Sequence, residues 1–241
     1  MPETTVNALE ISELHVAYGG IQALRGVSLR VAVGETVMVT GPNGAGKSTL
    51  MNTLAGIVKP QRGQILLDGE NVTAMSAERI ATVGLSMVPE GRHVFASMTV
   101  LENLRVGCGL RKDKSMVAQD LEQLLDVFPV LRARTNAQAG LLSGGQQQML
   151  VIARALMTAP RLLAIDEPSL GLAPKVTDQV YESLLSLQAQ RKLSLLIVEQ
   201  SSSRVVMTGA RMVMLRGGKV VLEGRARELA PQAIQAAYFG L

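Results

Sequence analysis

"TVMVTGPNGAGKST", residues 36–49, is a short, largely apolar run that breaks into glycines and then into a lysine and two hydroxyls. The run has the length of a buried strand. The segment after it, "STLMNTLAGIV", carries Leu50, Leu54 and Ile57 at helical spacing, so the glycines form a strand-to-helix turn. Residues 41–49 fit the pattern G-x-x-x-x-G-K-[ST], with both flanking contexts in place. Gly41, Gly44 and Gly46 let the backbone curl around Pro42, Asn43 and Ala45 with its N–H groups pointing inward. Lys47 brings a positive charge to the β and γ phosphates, and Ser48, followed by Thr49, offers a hydroxyl to Mg²⁺. The following helix adds its partial positive end. This predicts a nucleotide site, but GTPases, kinases and motor ATPases all use such a loop.

Working outward, "VSLRVAVGE" (27–35) alternates as a half-buried strand does. Asp68-Gly69 marks a hairpin, and "RMVMLRGGKVVLEG" a second one about Gly217-Gly218. "RLLAIDEP" and "LSLLIVEQ" are short apolar strands ending in acids, the reading of parallel strands buried on both faces. Between Ser97 and Gln138 the pattern turns helical, with Leu121, Leu124, Leu125 and Phe128 on one face. The expected architecture is α/β: one unit over 8–235, with an N-terminal antiparallel β part. A helical lobe of about 91–140 is inserted into an α/β lobe of about 8–90 and 141–235.

The chain has 241 residues, 47% hydrophobic and 18% charged, with net charge +4. That is a globular balance with a mild basic excess, suited to polyphosphate or a membrane surface. Only 2% of residues are aromatic and none is tryptophan, so stacking platforms for single-stranded nucleic acid are missing. One cysteine, Cys108, rules out an intramolecular disulfide, and it reads as an inert small side chain. Eighteen apolar residues never run together, and the N-terminal segment lacks the cationic-then-apolar pattern of a secretory signal. His15 and His93 have no ligand-spaced companions for a metal. Arg111, Lys112 and Lys114 read as a solvated turn.

Asp166 ends a buried strand, where open α/β sheets place their ligands. It is positioned to hold Mg²⁺ through water, and Glu167 to orient or deprotonate a water beside the γ-phosphate. A second anion-binding loop, "LLSGGQQQML" (141–150), has an N-cap serine and two glycines opening a helix, but no strand leads into it.

Phosphate loop, "LSGGQ" and "LLAIDEP", in that order, resemble the ATP-binding subunits of ABC transporters over about residues 9–230. The resemblance implies a P-loop NTPase fold of the ABC type using ATP and Mg²⁺. It also implies head-to-tail pairing, in which Ser143, Gly144, Gly145 and Gln146 complete the partner's site. Tyr18 matches the family's adenine-stacking aromatic. Three positions depart from the commonest pattern: Glu90 stands for glutamine, Ala173 for aspartate and Gln200 for histidine. "VPEGR", "SLGLAP" and "VEQ" together resemble the ATP-binding subunits of high-affinity branched-chain amino acid importers. Relatives importing other amino acids, amides or urea, and a soluble ABC ATPase, remain the alternatives. On this reading Glu167 is the main catalytic carboxylate and Gln200 positions groups. Glu90 joins Ser48 and Asp166 around Mg²⁺, and residues 90–95 couple to the membrane, with Arg92, Val94 and Phe95 touching the partner. Implied partners are a second ATP-binding subunit (the same or different), transmembrane permeases and, indirectly, a substrate-binding protein, with no nucleic acid. The implied location is peripheral, on the cytoplasmic face of the inner membrane.

Overall fold

A computed structural model describes residues 6–109 and 111–241. The chain opens with two long strands, β1 (Asn7–Tyr18) and β2 (Ile21–Ala32), joined by a Gly19-Gly20 turn. Strand β3 (Thr36–Thr40) leads through the glycine loop into helix α1 (Lys47–Leu54), and β4 (Arg62–Leu67) and β5 (Glu70–Asn71) form the Asp68-Gly69 hairpin. Next come α2 (Ala77–Val83), β6 (Leu85–Val88), α3 (Val100–Gly107), α4 (Lys114–Val127) and α5 (Pro129–Arg132). Helix α6 (Gly144–Leu156) is followed by β7 (Leu162–Asp166), α7 (Pro174–Arg191), β8 (Ser194–Val198) and α8 (Ser202–Thr208). Strands β9 (Arg211–Arg216) and β10 (Lys219–Arg225) make the last hairpin, and α9 (Pro231–Phe239) follows.

The first strands make an antiparallel sheet in the order β2-β1-β4-β5. The larger sheet runs β10-β9-β3-β8-β7-β6. It is parallel from β9 to β6, with β10 added antiparallel at one edge. Its inner strands β3, β8 and β7 are largely apolar because both faces are covered, and successive residues serve different cores. Met38, Leu163, Ile165, Leu195, Ile197, Met212 and Met214 pack into a core shared with α6, α7 and the helical segment. Val37, Val39, Leu162, Ala164, Leu196, Val198, Val213 and Leu215 pack into a core shared with α1 and the antiparallel sheet. The period of two along a strand thus sorts side chains between two layers.

Two local expectations need correction. The helix after the glycine loop ends at Leu54; Gly56 takes φ +73°, and Ile57 is 67% exposed instead of sharing the face of Leu50 and Leu54. A left-handed residue stops the helix before its third apolar position arrives. The strand expected to reach Glu35 ends at Ala32, where the Glu35 N–H closes a turn onto the Ala32 carbonyl through Gly34 at φ +74°.

The basic run 111–114 is not uniformly solvated. Arg111 is largely buried, with one guanidinium nitrogen 2.7 Å from Asp113 and another 2.6 Å from Asp120 and 3.1 Å from the Met157 carbonyl. It ties the start of α4 to the end of α6. Arg191 also reaches Asp120, at 3.0 Å, so removal of Arg111 leaves that carboxylate one partner. Arg111→Ala is therefore expected to cost about 1–2 kcal/mol, less than the loss of a buried pair with no substitute. Urea denaturation of the two proteins measures it.

Candidate functional site

The glycine loop takes its shape from close approaches that exclude side chains. At Gly41, φ is +147° and a Cβ would lie 2.0 Å from the Leu215 carbonyl oxygen; at Gly46, φ is +107° and it would lie 2.7 Å from that of Ala23. The loop is wedged against β9 and β2, and only glycine fits. Lys47, buried at the start of α1, folds back and donates to the Gly41 carbonyl at 2.7 Å and to the Pro42 carbonyl at 3.1 Å. Burial lowers its pKa below the ordinary lysine value, against the opposing charges of Glu167 and Asp166.

A cleft of about 380 Å³ opens beside this loop. Asn43 to Thr49 line it together with Ala23, Glu90, Glu167 and Gln200. Three residues far apart in sequence, each standing just beyond or at the end of a large-sheet strand, therefore meet the phosphate loop. Gln200 donates its amide to both carboxylate oxygens of Glu167, at 2.8 and 2.9 Å. Glu167 itself has φ +49°, in the left-handed region, and its N–H donates to the Val198 carbonyl.

Asp166, one residue earlier, is 4% exposed, and its Oδ1 is buried without a hydrogen-bond partner. Burial pushes its pKa up to about 6; Glu167, Glu90 and Glu199 add to the rise and Lys47 opposes it. A buried carboxylate oxygen with no donor is a position that a cation would satisfy. Among the described residues no group of three or more His, Cys, Asp or Glu is arranged to hold a metal. Serine and carboxylate oxygens with phosphates and waters completing the shell are the hard donor set that suits Mg²⁺. Ser48 and Glu90 line the cleft and the Asp166 Oδ1 is buried without a donor, so the chemistry of these oxygens fits the ion.

The raised pKa has a stability consequence whose sign is fixed. The native state binds the Asp166 proton more tightly than the unfolded chain does, so stability from this group falls as pH rises from about 4 to about 6. Asp166→Asn removes the titration. In the nucleotide-free chain it is expected to be more stable than the parent at pH 7, by about 2–3 kcal/mol. That advantage shrinks towards zero near pH 4. Paired urea melts across this range check it.

The N-cap serine and the helix expected at the second loop are present. Ser143 caps α6 in a reciprocal box: its Oγ accepts from the Gln146 N–H at 3.4 Å, and its own N–H donates to Gln146 Oε1 at 3.0 Å. At Gly145 a Cβ would lie 2.3 Å from a Val176 methyl, so glycine is sterically required there; at Gly144 it would lie 2.5 Å from the Arg92 guanidinium carbon, the end of a flexible side chain that can move aside. None of residues 143–146 lines the cleft. Tyr18 is half exposed at the tip of the β1–β2 hairpin and is not among the lining residues either.

Within residues 90–95, Arg92 and Val94 are half-exposed and make contacts within the chain, while Phe95 is exposed. Arg92 donates to the Gly171 carbonyl at 3.2 Å, bridging towards the segment after Glu167, and Val94 packs against the helical core. Phe95 stays exposed under the Arg154 guanidinium, 4.9 Å from its ring centre, and Arg154 also donates to the His93 carbonyl at 2.8 Å. His93 Nε2 lies 2.9 Å from the Glu90 carbonyl oxygen, bracing the loop that presents Glu90.

Sequence reasoning missed Glu199. It is 2% exposed, with Tyr181 donating to one carboxylate oxygen and Ser169 to the other at 3.1 Å. The available signal was an acid beside Gln200 at the end of a wholly apolar strand.

A family model described as ABC transporter matches residues 24–170, more than half of the chain. The chain belongs to the ABC transporter family. This cassette is 40% identical to the high-affinity branched-chain amino acid transport ATP-binding protein BraG of Pseudomonas aeruginosa, over 96% of this chain and 99% of the relative. Among solved structures it resembles the ADP conformation of MJ1267, an ATP-binding cassette of an ABC transporter. The TM-score is 0.86 at 27% identity, covering 98% of this chain and 100% of that one. It also resembles the dimeric bacterial cassette MJ0796, with TM-score 0.79 at 26% identity, covering 92% and 100%. The cassette is thus a nucleotide-binding ATPase of the ABC type, and the predicted α/β fold with its antiparallel β part is the one observed.

Proposed function

We propose that this cassette is one of two ATP-hydrolysing halves of an importer for branched-chain amino acids. One observation carries the reading of a half: the cleft holds the phosphate loop, Glu90, Glu167 and Gln200, yet lacks residues 143–146. Those residues carry the same anion-binding chemistry on another part of the surface, so a two-fold partner is the natural recipient. Each subunit lends Ser143, Gly144, Gly145 and Gln146 to the nucleotide held by its neighbour, and Tyr18 stacks on the adenine.

Within the cleft, Gly41 to Thr49 cradle the triphosphate, and Lys47 exchanges its loop carbonyls for phosphate oxygens. Mg²⁺ held by Ser48, Glu90 and Asp166 would supply charge neutralisation at the phosphate oxygens. Glu167 takes the proton from the attacking water, and the two hydrogen bonds from Gln200 hold its carboxylate in place. Unlike a histidine, Gln200 brings no titratable charge to the γ-phosphate.

Residues of about 91–140 act as a helical lobe between parts 8–90 and 141–235 of a single unit. Their motion, passed through residues 90–95, drives membrane permeases from the cytoplasmic face, where the cassette is peripheral. A substrate-binding protein participates indirectly. No helix among the described residues is long and apolar enough to cross a membrane. The amino-acid assignment rests on the 40% identity, over nearly the full length of both chains, to the Pseudomonas protein named above. Co-reconstitution with its permeases and partner cassette is expected to give ATP-dependent uptake of labelled leucine, isoleucine and valine. Uptake of urea, with none of these three, overturns the substrate assignment.

A further inference from the structure

Glu167 stands in a left-handed backbone conformation, which a residue with a Cβ keeps only when its surroundings hold it there. The cleft itself provides one restraint, through Gln200. A second comes from behind, outside the cleft lining. Two residues past Glu167, the Ser169 hydroxyl donates to Glu199, and Glu199 is the residue before Gln200. The connections close on themselves: chain from Glu167 to Ser169, hydrogen bond to Glu199, chain to Gln200, and two hydrogen bonds back to Glu167.

The far side of the ring is rigid. Glu199 directly follows the buried strand β8 and its N–H donates to the Val39 carbonyl, so it is pinned to the strand that feeds the phosphate loop. Its other carboxylate oxygen is taken by Tyr181 on α7, whose ring lies under the Arg204 guanidinium at 5.6 Å. With both oxygens occupied, the carboxylate has one orientation, and Ser169 is held to it.

We propose that Glu199 and Ser169 are positioning residues that lock the Glu167 carboxylate towards the phosphate loop, through a hydrogen-bonded ring closed by Gln200. Neither touches the nucleotide. The proposal rests on Glu167 being the base towards water. Once Ser169 lets go, the chain after Glu167 is free to relax towards an ordinary backbone conformation, and the carboxylate turns away from its working position.

Ser169 is partly exposed, so Ser169→Ala removes one hydrogen bond with little loss of packing. Turnover is measured on the full chain together with its partner cassette, and nucleotide affinity by a fluorescent ATP analogue. Ser169→Ala is expected to lower kcat about tenfold, with nucleotide affinity near the parent value and a few degrees lost in Tm because one oxygen of the buried Glu199 carboxylate loses its donor, and Ser169→Thr to restore most of both. In a Glu167→Gln background, Ser169→Ala is expected to have no further effect, because the group it positions is gone. A kcat within twofold of the parent overturns the proposal, as does an equal loss in the Glu167→Gln background. Failure of Glu167→Gln alone to slow turnover instead overturns the assignment of Glu167.

Discussion

Glu167→Gln is expected to slow ATP turnover by a factor of about 10²–10⁴, the range that a positioned general base contributes. Nucleotide affinity should stay within a fewfold of the parent. The amide keeps the size and position of the side chain in the cleft, beside Gln200, but cannot accept a proton from water. Removing negative charge from a site crowded by Asp166, Glu90 and Glu199 also relieves repulsion with the incoming triphosphate. The variant should therefore accumulate as an ATP-bound pair of cassettes. Steady-state hydrolysis and analytical ultracentrifugation with ATP test the two halves of the expectation. Near-normal turnover would move the base elsewhere in the cleft.

Lys47→Ala should act on the other term, binding. Lys47 is buried, already desolvated, and held by two loop carbonyls at the mouth of α1, so it meets phosphate with little further ordering. A hydrogen bond to a charged group contributes about 1.5–3 kcal/mol, so two lost to phosphate weaken ATP by about a hundredfold or more. The charge of Lys47 also opposes the rise in the Asp166 pKa, so its removal leaves Asp166 harder to ionise. Titration with a fluorescent ATP analogue reads the loss directly. An affinity within threefold of the parent would show that the loop N–H groups and the helix end hold the phosphates without it.

The parts of this site that could be read in advance are those whose chemistry is local. A strand, a glycine curl, a lysine and a hydroxyl lie within fourteen consecutive residues, 36–49, and their steric demands act on neighbours in the chain. The same holds for Ser143 and Gln146, whose capping box spans one helical turn. Asp166 and Glu167 were legible because a wholly apolar strand must end at the rim of a sheet. The three departures at Glu90, Ala173 and Gln200 were legible only against a family pattern.

What stayed hidden depends on residues brought together from distant parts of the chain. Arg111 reads as one more charge in a basic run, yet it is buried because Asp120 and the end of α6 close over it. Ile57 keeps helical spacing on paper, but Gly56 turns the chain before that spacing can matter. Arg92 and Val94 also make contacts within the chain, with the Gly171 carbonyl and the helical core, that no local pattern announces.

By itself the amino-acid order determined the phosphate loop, the capped second loop, the acid pair and the layered α/β plan, since each follows from side-chain period or from steric needs within a few residues. Only the tertiary structure decided that Gln200 grips Glu167, that the Asp166 Oδ1 lacks a donor, and that Glu199 joins Ser169 to α7. Those outcomes depend on the parallel order β3-β8-β7, which sets strand ends from distant parts of the chain side by side; burial then makes each polar contact costly to leave unmade.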